Sequence, residues 1–163
     1  MIIYGIDPGP TASGVAVYDT QARRLLHSNK AASLGEVRLE MQLLNLKHQD
    51  LWVAIERVQS YGIAGGSLLQ TSEIVGRVQE MAHTLEIPHS LHYRREVLRA
   101  LDVTGKGNRD SLVMNRLIEM HGGTKRAAVG LKKEPGPLYG ISLHAWAALA
   151  VAITAGLCAR AID

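Results

Sequence analysis

Residues 1–10, Met1-Ile-Ile-Tyr-Gly-Ile-Asp7-Pro-Gly9-Pro10, carry the strongest indication of the fold. Residues 2–6 are mostly β-branched or aromatic, so they predict a short buried strand. The Asp-Pro-Gly-Pro run that follows is a dense turn signal and ends this strand. Asp7 therefore stands where a buried strand leaves the sheet. A carboxylate there is costly unless a partner or a metal ion compensates its charge.

A second acid occupies a comparable position further along the chain. Residues 52–58 are strongly apolar and predict another strand, with one acid, Glu56, near its end. We expect this strand to lie beside the first one. Either acid alone is equally well explained as a strand-end group that caps a loop. Two acids on adjacent strands instead favour a hard divalent cation, which requires oxygen ligands.

The rest of the sequence predicts an α/β fold in a single domain over residues 1–163. The chain is 47% hydrophobic and 20% charged, the composition of a globular protein with a substantial core. Strand patterns alternate with helical periodicity, which implies a mixed sheet with helices on both faces. The other predicted strands are 14–18, 24–28 and 88–93. The predicted helices are 34–47, 72–85, 96–101, 110–120 and 144–160.

Two segments lack any such periodicity. Residues 61–67 are predicted as a glycine-rich loop. Residues 124–140 contain glycine and proline punctuators together with a basic cluster. We predict that this second segment is a mobile surface loop.

Charge and cysteine content limit the partners and the compartment. The net charge is +3 and the pI is about 9.2, which permits a nucleic-acid partner without requiring one. A single cysteine, Cys158, excludes an internal disulfide framework and fits a reducing compartment. The apolar stretch 145–159 is shorter than the roughly 20 residues of a membrane span. The N-terminus lacks the features of a signal peptide. We therefore expect a cytoplasmic protein with no membrane partner.

Four blocks together resemble RuvC-type Holliday junction resolvases, a family with an RNase H-like fold. They occur in the family's order and spacing and cover almost the whole chain, although each block alone is weak. They are Tyr4-Gly-Ile-Asp7-Pro-Gly9, Ala54-Ile-Glu56-Arg-Val58, Val103-Thr-Gly-Lys106-Gly107 and His144-Ala-Trp-Ala-Ala-Leu-Ala-Val-Ala152. The resemblance implies an RNase H-like mixed five-stranded sheet flanked by helices. The modest length and the departures from the family pattern suggest a divergent, phage-encoded member.

The resemblance also implies an activity and a site. A protein of this kind is expected to be a homodimeric endonuclease that resolves four-way DNA junctions with Mg²⁺ or Mn²⁺ and without a nucleotide cofactor. Asp7 and Glu56 match the first two metal-binding acids, Asp7 bridging two ions and Glu56 binding one. His144 falls where the family has Asp or His, as a ligand or as the base that takes a proton from water. Without the resemblance, His144 would be better explained as a packed core histidine.

One position departs from the family pattern. The family usually has an Asp three residues after the position of His144, where this chain has Ala147. Three explanations compete. The site works with Asp7, Glu56 and His144 alone, another acid such as Asp110 or Glu134 substitutes, or the protein is an inactive natural or engineered form. Of these we favour an active site with fewer acids.

DNA contacts are expected to be mostly electrostatic, because phosphate neutralisation dominates affinity. The family stacks an aromatic side chain on a base shortly after the second acid, where Gln59 stands here. Tyr61 could take that role. The helix 72–85 resembles the family's dimer helix, but its apolar stripe suits an ordinary core helix equally well. The candidate phosphate-binding residues are Arg94, Arg95, Lys106, Arg109, Lys125, Arg126, Lys132 and Lys133.

Three other functions stay open at this point. One is a related nuclease that acts on flaps, D-loops or RNA. Another is a junction-binding protein without catalysis, which the alanine at position 147 suggests. The last is an ATP-binding fragment of the actin-like type. It is disfavoured because the C-terminal end carries no second phosphate-binding glycine loop with a matching Asp.

Overall fold

The computed structural model of the protein describes residues 1–59 and 65–160. Strands and helices alternate through this part of the chain, as the periodicity predicts. The strands are β1 Ile2–Asp7, β2 Ser13–Asp19, β3 Arg24–Ala32, β4 Leu51–Arg57, β5 His89–Tyr93, β6 Gly130–Leu131 and β7 Glu134–Pro135. The helices are α1 Leu34–Lys47, α2 Gly66–Thr84, α3 Arg94–Ala100, α4 Arg109–Met120, α5 Lys125–Ala128 and α6 Ala145–Arg160.

The first five strands form one mixed sheet with the order β3-β2-β1-β4-β5. Consecutive hairpins make β1, β2 and β3 antiparallel, whereas β4 and β5 each follow a helix and run parallel to β1. A parallel neighbour needs a crossover connection, which α1 and α2 supply here. The predicted mixed five-stranded sheet is therefore confirmed, with β1 at its centre.

Side chains alternate between two cores, one on each face of the sheet. On one face, Tyr4, Val53 and Ile55 pack with the inner sides of α1 and α2. On the other, Ile3 and Ala54 pack with α3, α4 and α6. Residues that follow Ile6 and Ile55 in sequence consequently point to the α6 side. Because of this alternation, residues at the ends of β1 and β4 can form a site only on the α6 face of the sheet.

Helix α6 lies unusually close to the centre of the sheet because the residues beneath it are small. A Cβ atom added to Gly5 would lie 2.1 Å from the backbone oxygen of Ala148 and 2.8 Å from Cβ of Ala152. One added to Gly14 would lie 2.5 Å from the backbone oxygen of His144. The close approach holds the start of α6 against the ends of β1 and β2.

No helix in the described ranges is both long and apolar enough to cross a membrane.

Two predicted boundaries differ from the structure by four residues or more. Strand β3 continues to Ala32, four residues past the predicted end, because it pairs with β2 along its whole length. Helix α2 begins at Gly66, whereas the sequence predicts a loop through residue 67 and a helix from residue 72. The Thr71 hydroxyl donates to the backbone oxygen of Ser67 within this first turn. Glycine and serine have weak helix propensity, which the packed helix that follows overrides.

The prediction that residues 124–140 form a mobile surface loop is wrong, because the segment has regular secondary structure. The segment forms α5 and a hairpin of β6 and β7, and the side chains of Ala128 and Leu138 are fully buried. The backbone N–H of Leu25 donates to the oxygen of Pro137 at 2.7 Å, which ties the segment to β3. These bonds join residues far apart in sequence, so local periodicity does not reveal them.

Candidate active site

The ends of β1 and β4 bring two carboxylates together. Ile6 pairs with Ile55 in the parallel ladder, so Asp7 and Glu56 occupy equivalent positions on neighbouring strands. Both side chains point to the α6 face, by the alternation of the strand. The Asp7 side chain is 24% exposed and that of Glu56 is 14% exposed. The predicted adjacency of the two strands therefore places two poorly solvated acids at one edge of the sheet.

The surroundings of these acids favour their neutral forms when no cation is bound. Burial raises the pKa of Asp7 to about 6, against the opposing effect of the Arg94 guanidinium. Burial also raises the pKa of Glu56 to about 7, with a further contribution from the charge of Asp7. A carboxylate of raised pKa gains from a nearby positive charge. A nearby cation would therefore stabilise the ionised forms of both carboxyl groups.

Arg94 supplies a positive charge close to these two acids. It begins α3, directly after β5, and β5 is the neighbour of β4 in the sheet. Its Nη1 atom lies 3.5 Å from Oε2 of Glu56, and its Nη2 atom donates to Oδ1 of Asp110. Asp110 belongs to the first turn of α4, which Asn108 caps by accepting from two backbone N–H groups. Arg94 thus connects the sheet to α4 across the site.

His144 stands at the rim of the site rather than in the core. Its side chain is 75% exposed, and its Nδ1 atom lies 3.9 Å from Oδ2 of Asp7. The preceding residue, Leu143, has a φ of 42°, in the left-handed region that non-glycine residues rarely adopt. The alternative of a packed core histidine does not hold, because His144 faces solvent next to Asp7.

A cavity of about 600 Å³ unites these groups. Ala147 lines it from the first turn of α6 and presents only a methyl group where the resembling family has an acid. Asp110 lines the same cavity. Glu134, the other acid considered as a substitute, is on β7 and pairs with Arg126 at 3.5 Å. The residues around the cavity are Asp7, Glu56, Arg94, Asp110, Ser111, Val113, Met114, Leu143, His144, Trp146 and Ala147.

The donor set can be tested against a divalent cation. Oε2 of Glu56 is buried and has no hydrogen-bond partner in the described part of the chain, so its interaction there is the ion pair with Arg94 at 3.5 Å. Carboxylate oxygens are the ligands that Mg²⁺ and Mn²⁺ prefer. Within residues 1–59 and 65–160, however, no three His, Cys, Asp or Glu side chains converge closely enough to hold a metal ion. Asp7 and Glu56 fit one hard cation, with its remaining positions left to water or substrate.

The predicted phosphate-binding residues lie on four different elements. Arg94 is inside the cavity, whereas the guanidinium of Arg95 lies 5.3 Å from the centre of the Tyr93 ring outside it. Lys106 and Arg109 are exposed beside the N-terminus of α4, Lys125 and Arg126 are exposed on α5, and Lys132 and Lys133 form the turn between β6 and β7. Tyr61 lies outside the described residues.

Sequence reasoning overlooked one group near the site. Arg57 directly follows Glu56, and its guanidinium lies 5.0 Å from the centre of the Tyr93 ring, so Arg57 and Arg95 both contact one aromatic side chain. The parallel register pairs Arg57 with Tyr93. A strand prediction that paired β4 with β5 would have revealed this contact.

The raised pKa values predict an unusual pH dependence of stability in metal-free buffer. The ordinary values are 3.8 for Asp7 and 4.5 for Glu56, so the folded state holds both protons more tightly than the unfolded chain. This contribution is complete below the unfolded values and is lost as pH rises through about 6 and 7. We expect the Tm in chelator to fall by on the order of 5 °C between pH 5 and pH 8.

Calorimetry of the isosteric variant Glu56→Gln checks this expectation, because that variant should show a flatter slope. Glu73→Gln is the matched control, since Glu73 is exposed on α2 and pairs with Arg77 at 2.6 Å. An identical slope in the wild type and Glu56→Gln would contradict the assignment.

The arrangement of the sheet, the helices on both faces and the two strand-end acids define an RNase H-like fold of the RuvC type. Two solved structures of RuvC from Thermus thermophilus are similar over 99% of this chain and 96% of theirs. One is RuvC in complex with a Holliday junction substrate, with a TM-score of 0.67 and 23% identity. The other is RuvC itself, with a TM-score of 0.68 and 24% identity. No protein-family model and no curated protein matches the chain.

Proposed function

We propose that the protein is a divalent-metal-dependent endonuclease that cuts four-way DNA junctions by symmetric phosphodiester hydrolysis. The observation that carries the proposal is the pairing of Asp7 with Glu56 at neighbouring strand ends, inside a cavity and on a RuvC-type fold. The buried Oε2 of Glu56 accepts no hydrogen bond and has only a 3.5 Å ion pair with Arg94, which supports cation binding at the pair.

Asp7 and Glu56 would hold Mg²⁺ or Mn²⁺ through their carboxylate oxygens. When bound, such an ion lowers the pKa of a water molecule and offsets the negative charge of the phosphate. His144 would take a proton from the attacking water, since an imidazole nitrogen can accept a proton and this side chain, 75% exposed, can pass it on to solvent. The water oxygen forms a bond to phosphorus, the bond from phosphorus to the 3′-oxygen breaks, and that oxygen leaves with a proton as a hydroxyl.

The DNA would lie across exposed basic residues outside the cavity. Lys106 and Arg109 lie at the N-terminus of α4, and Lys132 and Lys133 form the turn of the hairpin. Phosphate contacts of this kind provide affinity without reading sequence. The contacts of Arg57 and Arg95 with Tyr93 would keep these two cations in place close to the acids.

A homodimer would match the twofold symmetry of a four-way junction, so that two equivalent strands are cut. The buried stripe of α2, which includes Val75 and Val78, packs on the protein's own sheet. Its opposite side is exposed and includes Leu69, with 61% of its surface accessible. We propose that this outer side of α2 meets a second copy. The protein would act in the cytoplasm, where such junctions arise.

The function is tested by incubating the full chain with a labelled four-way junction, a linear duplex and a flap, with Mg²⁺, Mn²⁺ or chelator. We expect paired symmetric nicks in the junction, only when a metal ion is present. Preferential cutting of flaps, D-loops or RNA would favour the related nuclease instead. Equal cutting of the linear duplex would contradict structure-specific recognition.

A second candidate is a junction-binding protein that does not cut, and the methyl group of Ala147 in the cavity wall favours it. Under this alternative, the wild type binds the junction and leaves it intact with either metal. Cleavage that appears only in Ala147→Asp would establish it. Cleavage by the wild type would eliminate it.

A further inference from the structure

The feature that separates this site from a purely acidic one is the guanidinium of Arg94. Among the described residues that line the cavity, Arg94 is the permanently charged cation. Its side chain is 27% exposed, so it faces the cavity instead of being sealed within the core. It lies at the junction of β5 and α3, next to the strand that carries Glu56. Its position is therefore set by the sheet and not by a flexible loop.

The contacts of Arg94 hold it firmly while leaving donors available. Nη1 faces Glu56 and Nη2 donates to Asp110, two acids on different elements. A guanidinium has five N–H donors in a rigid fork, a geometry that suits phosphate oxygens. The remaining donors could accordingly contact a phosphate without loss of both acidic partners. Asp110 acts here as the group that positions Arg94.

The number of carboxylates limits how many metal ions the cavity can take. Asp7, Glu56 and Asp110 are the acids among its described lining residues. Arg94 engages Asp110, which leaves Asp7 and Glu56 for one cation. A second ion at about 3.5–4 Å from the first requires further bridging carboxylates. The α6 wall supplies none, because Ala147 stands there.

We propose that the site binds one divalent cation, on Asp7 and Glu56, and that the Arg94 guanidinium supplies the second positive charge to the phosphate being cut. This inference rests on the proposed nuclease function. Under this proposal, the alanine at position 147 would be compatible with activity. The cation and Arg94 would contact different oxygens of the phosphate, and Asp110 would keep the guanidinium directed at it.

Counting metal ions tests the proposal without relying on activity. Mn²⁺ is titrated into the full-length wild type at pH 8, and bound ions are counted by electron paramagnetic resonance and calorimetry. We expect one ion per chain. Two ions of comparable affinity would overturn the inference while leaving the nuclease function intact. No bound ion would contradict the metal-dependent function itself, so the two failures can be told apart.

Substitutions test whether Arg94 is what replaces the second ion. Ala147→Asp alone should still bind one Mn²⁺, whereas Arg94→Ala combined with Ala147→Asp should bind two and show magnetic coupling between them. A double variant that folds by circular dichroism and still binds one ion would overturn the proposal. Arg99→Ala, an exposed cation on the same helix, is the control and should leave the count at one.

A conservative variant separates this role from a structural ion pair. Arg94→Gln should lower kcat for junction cleavage by about 10²–10³-fold, as loss of one oxyanion donor does elsewhere. Its Mn²⁺ affinity should rise by about tenfold, because a like charge near the metal is removed. A structural ion pair alone would lower the Tm and leave kcat of the folded enzyme unchanged. That result would also overturn the proposal.

Discussion

Asp7→Asn is expected to abolish junction cleavage, by at least about 10³-fold, while junction affinity stays close to that of the wild type. Asn keeps the shape of the side chain but removes the charge that would hold a hard cation, and an anionic side chain is not expected to add to phosphate binding. The measurement is single-turnover cleavage of a labelled four-way junction with Mg²⁺, together with a gel-shift titration in chelator.

The same substitution has a second signature in the metal-free protein. Burial raises the pKa of Asp7 to about 6, so the neutral amide should raise the Tm at pH 8 instead of lowering it. Asp102→Asn is the matched control. Asp102 is exposed, lies away from the cavity and has a φ of 52°, which Asn tolerates well. Retained cleavage in Asp7→Asn would refute the assigned site, whatever the control shows.

Gly5→Ala is expected to produce a large loss of stability, because the added Cβ makes the shortest approach found at any glycine of the described residues. The new Cβ would lie 2.1 Å from the backbone oxygen of Ala148, far inside van der Waals contact, and neither backbone can retreat through a side-chain rotation. Overpacking of this kind costs about 3 kcal/mol or more, which corresponds to a fall in Tm of about 6–12 °C. Thermal and urea unfolding of the purified variant measure the loss.

A shift of α6 in Gly5→Ala should also move His144 in the candidate site, because α6 begins directly after that residue. We expect the folded fraction of Gly5→Ala to cut junctions more slowly than the wild type at the same concentration of folded protein. Gly35→Ala is the control, since a Cβ there would meet no atom within 4 Å. That variant should be neutral, or more stable by up to about 1 kcal/mol. Equal stability of Gly5→Ala and Gly35→Ala would show that α6 does not press on β1.

Local sequence patterns predicted most of the fold well. The buried strand before Asp7, the amphipathic helix α1 and the apolar helix α6 each contain their own evidence in hydrophobic period and turn residues. The mixed sheet follows from the order of these elements. The start of α2 and the segment 124–140 were predicted wrongly. In both places glycine-rich or basic sequence is ordered by packing against distant residues, such as Pro137 against Leu25.

The candidate site was also predicted only in part from the sequence. Sequence predicted Asp7 and Glu56 as isolated charges at the ends of apolar strands, and the resemblance to the family added His144 and drew attention to Ala147. It assigned Arg94 to the general DNA-binding surface. Only the pairing of β5 with β4 reveals that Arg94 reaches Glu56, and only the packing of α4 reveals that Asp110 holds it.

The residues alone therefore established the types of element, their order and the two acids, because hydrophobic period and turn chemistry are properties of neighbouring positions. The partners of those acids depend on the register between strands and on the distance at which α6 settles over Gly5. These are contacts between positions far apart in the chain, and their energies exist only once the sheet has assembled. The placement of Arg94 among these acids, between Glu56 and Asp110, is a consequence of that assembly.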